Sequence, residues 1–198
     1  MAYYLLNIKT KMKILVTLLI FLSSINLSFS QEEKKIDIKK SKIEWIGKKI
    51  GGEHSGIIQI KSGSLIMSGN KIISGEFIID MNTIECTDLS GRAKQSIESH
   101  LKNEDFFHID KYPTSSLKIN KSDDKKIYGT ITIKNHSEPI EFEYKLASRG
   151  GQEIVNSEII IDRTKFNISY KSKTIFPDLI DNFIYDDFII KTSPIIFY

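Results

Sequence analysis

Ile140-Glu141-Phe142-Glu143-Tyr144-Lys145-Leu146 puts an apolar side chain at every second position and a charged one between each. Successive side chains of a strand point to opposite faces, so this segment turns one face to an interior and the other to water. Ile73, Gly75, Phe77, Ile79 and Met81 repeat the pattern, with Ser74, Glu76, Ile78 and Asp80 between them. Further strands are expected over residues 42–50, 55–61, 64–68, 114–120, 127–134, 154–162 and 188–192. Turn-forming clusters separate them: Gly51-Gly52, Lys61-Ser62-Gly63, Ser68-Gly69-Asn70, Ser122-Asp123-Asp124 and Gly150-Gly151. Many short strands with regular turns indicate an all-β antiparallel sandwich or barrel. Alternation alone does not separate the two.

One interval breaks the β pattern. Between residues 90 and 103, Ala93, Ile97 and Leu101 recur every fourth position, one apolar stripe on a helix of about three turns. Ser90 is the candidate cap, and Gly91 in the first turn weakens the start. Residues 31–40 are charge-rich and read as a frayed arm before the first strand.

The first thirty residues read as an export signal. Lys9, Lys11 and Lys13 precede an apolar run from Ile14 to Leu22, and Ser28 and Ser30 stand three and one residues before a cleavage point at Gln31. The run is too short to cross a bilayer, which takes about 20 apolar residues, so the chain is not expected to span a membrane. This places the protein in the periplasm or outside the cell. Of the 28 basic and 25 acidic side chains, three lysines and no acids fall in the leader, leaving 25 of each over residues 31–198. A chain without net positive charge lacks the footprint that nucleic acid requires. Residues 31–198 suit one domain. Cys86 is the only cysteine, so no intramolecular disulfide forms, and a packed, inert thiol is expected.

Signatures of catalysis are missing. His54, His100, His108 and His136 are scattered, without acidic or cysteine partners at metal-ligand spacing. There is no phosphate-cradling glycine loop and no Gly-x-Ser-x-Gly elbow. Asp123-Asp124 and Asp186-Asp187 are adjacent carboxylates, which point apart on a strand and are expected to be solvated. A cofactor-free, non-enzymatic protein is expected.

The segment Ser99-His100-Leu101-Lys102-Asn103-Glu104-Asp105-Phe106-Phe107-His108-Ile109-Asp110-Lys111-Tyr112-Pro113-Thr114 is not explained by composition. Together with Ile43-Glu44-Trp45-Ile46-Gly47, Gly52-Glu53-His54-Ser55-Gly56, Phe77-Ile78-Ile79-Asp80-Met81 and Asp162-Arg163-Thr164-Lys165-Phe166 with Tyr170, it resembles the YceI-like family. The family has asparagine-for-glycine departures here at Asn135 and Asn167, and Lys165 stands for its usual aspartate. The resemblance implies an eight-stranded lipocalin-like barrel with one short helix near residues 90–103. It also implies a hydrophobic interior that encloses a polyisoprenoid lipid, such as a quinone tail or a prenyl carrier, as ligand rather than cofactor. Barrels of the family can pair as homodimers.

With that expectation, His54, Phe77, Phe106, Phe107, Tyr112, Phe142, Tyr144, Arg163 and Tyr170 are the candidate ligand contacts. His54 reads either as a turn histidine bonded to a backbone carbonyl or as a polar group meeting a lipid head at the barrel mouth. Arg163 needs a partner if buried, with Asp162 or Asp80 the candidates; the alternative is direct contact with ligand. Trp45 is expected to plug the barrel floor. Phe106 and Phe107 either line an opening or clamp the helix to the barrel end. A rival reading is a stress-related envelope protein with a packed barrel that acts through protein contacts; it requires Phe106 and Phe107 exposed without an adjoining cavity.

Overall fold

A computed structural model of the chain describes residues 30–198. The expected leader, apart from Ser30, lies outside the described residues. The strands are β1 Gln31–Lys35, β2 Ile43–Lys49, β3 Gly52–Ser68, β4 Lys71–Cys86, β5 Thr114–Ser122, β6 Lys126–Ile133, β7 His136–Arg149, β8 Gln152–Asp162 and β9 Ile184–Phe197. Helix α1, Gly91–Lys102, lies between β4 and β5, and a 3-10 turn, Arg163–Phe166, follows β8.

Neighbouring strands pair antiparallel from β2 through β3 and β4 to β9, and β9 returns to β2, which closes the wall. β1 is not a frayed arm. It pairs with Ser64–Ser68 of β3, and Ile36 then bridges to Phe197 of β9. β1 and β2 therefore share one position between β3 and β9, interrupted at residues 37–42. The result is an eight-position antiparallel barrel with one short helix. Closure leaves no terminal strand edge of the kind an open sheet would present.

Two details of the wall differ from the expected alternation. Lys61-Ser62-Gly63 is not a turn: residues 52–68 form one strand, bent where its register with β4 shifts between Ile60 and Ser62. Glycine is needed at the bend because a Cβ on Gly63 would come within 2.5 Å of the Phe77 ring. In β4 a second shift, opposite Ile66 and Met67, turns Ile72 inward in place of Ile73. A bulge adds one residue and so reverses the facing of everything before it.

One end of the barrel has tight hairpins at residues 69–70, 123–125 and 150–151; the other carries α1 and the long β8–β9 connection. At this second end Lys134 and Asn135 join β6 to β7 with φ of 50° and 63°, so asparagine serves where the family has glycine. Gly91 begins α1 at φ 57°, where glycine carries no steric penalty, and Ser90 makes no side-chain cap. The docking face of α1 is its C-terminal half. Leu101 is buried and Ile97 half-buried, whereas Ala93 is exposed. Glu98 Oε1 accepts the Cys86 amide at 2.9 Å, and Lys94 pairs with Glu85, which pins the helix to the end of β4.

Candidate functional site

The inward side chains enclose a cavity of about 190 Å³ beneath α1. This exceeds the ~150 Å³ apolar cavity that stays dry and holds one benzene ring. Its wall is aliphatic and aromatic, and no charged residue lines it. The polar side chains facing it are Ser115, Ser157 and Thr192; Ser116, opposite Ile78 and Thr132, belongs to the outer face of the wall. Two of those hydroxyls satisfy each other, Ser157 Oγ and Thr192 Oγ1 lying 2.8 Å apart, and Ser115 donates to the Met81 sulfur at 3.1 Å. A wall whose few polar groups are already paired offers a ligand shape and apolar contact, not hydrogen bonds.

Four of the nine candidate contacts lie on this wall: Phe77, Phe106, Phe107 and Phe142. Phe77 and Phe142 follow from strand alternation. Phe106 and Phe107 belong to a turn, not a strand, so two adjacent rings can face the same interior; each is buried, and they meet edge to face at 5.0 Å. Leu101 joins them, so the end of α1 and the turn after it roof the cavity. Trp45 is part of the wall, not a floor plug, and its Nε1 donates to the Glu85 carbonyl at 3.2 Å.

The structure places the other five off the cavity. His54 bonds neither a backbone carbonyl nor the mouth: its Nδ1 lies 2.9 Å from Asp88 Oδ2. Tyr112 packs edge to face on His108 at 5.7 Å, at the outer side of the same end. Tyr144 faces the core but its hydroxyl donates to the Asp123 carbonyl at 2.9 Å, a bond internal to the tight-hairpin end. Tyr170 packs against His100 at 4.3 Å with the rings tilted, and lines an open outer pocket with Lys134, Asn167 and Phe176.

Arg163 is 1% exposed, and its partner is neither Asp162 nor Asp80. Its guanidinium donates to the carbonyls of Ile168, Ile184 and Tyr185 at 2.8, 3.0 and 3.2 Å and to Asp186 Oδ1 at 3.2 Å. Burial pulls its pKa down, and the carboxylates of Asp186 and Asp162 oppose that. Asp162 instead holds the amide and hydroxyl of Thr164. Asp186 is thus a structural anion, not a solvated one. Asp123 organises its turn by accepting the amides of Lys125 and Lys126 and the Tyr128 hydroxyl.

A polar cluster that sequence reading did not assemble sits where β3 meets the start of α1. Asp88 accepts the His54 ring, the Ser55 amide and the Cys86 thiol, the last at 3.0 Å. Burial pushes the Asp88 carboxyl up, but the Cys86, His54 and Ser55 donors outweigh it and hold its pKa at about 2. The fully buried Cys86 thiol is pushed up, by burial and then by the Asp88 carboxylate. No group of three or more His, Cys, Asp or Glu side chains among the described residues is arranged to hold a metal ion. No helix among them is long and apolar enough to cross a membrane.

No curated protein matches the chain. Solved structures that share the fold include the following two. One is BcnA of Burkholderia cenocepacia, 19% identical, with a TM-score of 0.62 over 81% of this chain and 98% of that one. The other is a polyisoprenoid binding domain from Saccharophagus degradans implicated in plant cell wall breakdown. It is 10% identical, with a TM-score of 0.61 over 83% of this chain and 97% of that one. The profile of the YceI-like domain matches residues 34–193, nearly the whole of the described barrel, and the chain belongs to that family.

Proposed function

We propose that this chain is an exported, non-enzymatic lipid-binding protein of the bacterial envelope, and that its cavity takes the isoprenoid tail of a quinone or prenyl carrier. The observation that carries the reading is a closed β wall around an uncharged cavity of about 190 Å³. Apolar burial supplies the drive: at about 0.8 kcal/mol per CH₂-sized group, one five-carbon unit contributes roughly 3–4 kcal/mol before ordering costs. The similarity in fold to a polyisoprenoid binding domain supports the choice of ligand class. The basic and apolar leader, residues 1–30, supports export. The packed-barrel rival requires Phe106 and Phe107 to be exposed without a cavity, whereas both are buried and line one.

Native mass spectrometry of protein purified from its own envelope tests the reading. The expected result is a co-purifying lipid of isoprenoid mass, and a thermal-shift screen in which prenols or quinones raise the melting temperature. Protein that carries no lipid and ignores both added classes overturns it.

A further inference from the structure

The barrel wall is joined unevenly. β7 and β8 pair from Arg149↔Gln152 to Tyr144↔Ser157, and there the ladder stops. Continued in register, it would set Glu143 opposite Glu158 and Glu141 opposite Ile160, and neither pair forms. Both strands nevertheless run on. The rest of β7, residues 136–143, stays paired with β6, and residues 158–162 of β8 stay paired with β9. Two facing strand edges are therefore left unjoined in the middle of the wall. The 3-10 turn after β8 brings the chain back against β7, so the gap is a window bounded by the Tyr144–Ser157 rung and that turn. Another incomplete joint differs in kind: β5 begins only at Thr114, opposite Asp80, and α1 packs against the end of β4, which pairs with β3 but has no β5 partner.

The window adjoins the cavity. Phe142 on one edge and Ile159 and Ile161 on the other belong to the cavity wall. Outside, Ile160 is 61% exposed, and Glu141, Glu143 and Glu158 stand around it. Charged side chains on an unjoined edge discourage a foreign strand from adding there. An aliphatic chain makes no such demand on the edges, because its destination is the apolar wall just behind them.

We infer that the β7–β8 window is the entry for the lipid tail, which passes sideways between the two strands rather than end-on past the Phe106–Phe107 roof; this rests on the lipid-binding reading above. Widening the gap breaks no ladder hydrogen bond, since none spans it. A side entry also lets a long tail be laid into the cavity instead of threaded.

The test closes the window with a cleavable cross-link. Glu141→Cys/Ile160→Cys, both outward-facing, is bridged with a short reducible dimaleimide; the buried Cys86 does not compete. A control bridge joins Glu44→Cys to Lys191→Cys, directly opposite each other in the continuous part of the β2–β9 ladder, Ile43–Gly47 against Phe188–Thr192. Uptake of geranylgeraniol from phosphatidylcholine vesicles is followed by Trp45 emission. The expected result is uptake at least tenfold slower with the window bridged, unchanged with the control bridge, and restored by reductant. Unchanged uptake with the window bridged, or equal slowing by both bridges, overturns the portal. If the unbridged protein takes up no prenol at all, the lipid-binding reading itself falls.

Discussion

Arg163 and Asp186 form an ion pair at 3.2 Å, and the same guanidinium fastens the Ile168 carbonyl of the β8–β9 connection and the Ile184 and Tyr185 carbonyls at the start of β9. One side chain thus holds the long connection at the helix-bearing end of the barrel.

Removing that guanidinium leaves Asp186 and three acceptors without their donor. Arg163→Met is expected to lower stability by about 3–5 kcal/mol, read from urea denaturation, because breaking a buried pair strands its partners. Arg163→Lys should recover little, since a point charge cannot reproduce the planar fork. A wild-type midpoint for Arg163→Lys would show that charge alone suffices.

Asp88 makes folding acid-sensitive in a defined window. Its folded pKa, about 2, lies below the ordinary aspartate value of 3.8, so its stabilisation is complete above the higher figure and is lost as pH falls toward the lower. The loss amounts to about 2 kcal/mol. Denaturation midpoints between pH 5 and pH 2 should fall more steeply for the native chain than for Asp88→Asn. Parallel slopes would remove Asp88 as the cause.

Cavity volume sets what can bind. Ser115→Phe adds a ring to the cavity wall at a position that is now small and polar. Overpacking is expected to cost about 1–3 kcal/mol of stability and leave the fold intact. Prenol affinity should fall at least tenfold, measured by titration against the folded variant. Undiminished affinity would place the ligand elsewhere.

How far the sequence reveals this depends on whether a residue's role is local. Strand alternation is local, and it places Phe77 and Phe142 on the cavity wall. Pairing is not. His54 and Asp88 lie 34 residues apart, and Arg163 and Asp186 lie 23 apart, so which carboxylate each side chain meets depends on strand register. Bulges escape a period-two reading for the same reason: the extra residue that turns Ile72 inward instead of Ile73 is visible only against β3. The hydroxyl of Tyr144 sits on an inward-facing position, yet it is used by the Asp123 carbonyl one hairpin away.

Gly56 is fixed by its neighbours across the sheet. A Cβ there would overlap the Glu85 carbonyl, which accepts the Trp45 indole, and would meet the Trp45 ring at 2.6 Å. Gly56→Ala should therefore displace the indole from the cavity wall and loosen the β2–β3–β4 contact that holds it. The expected outcome is a destabilisation of about 1–3 kcal/mol, as for other overpacked sites. Trp45 emission should move to longer wavelength as the ring meets water, and its response to added prenol should shrink. Native-like emission in Gly56→Ala would mean that the strands yield around the methyl while the indole keeps its place.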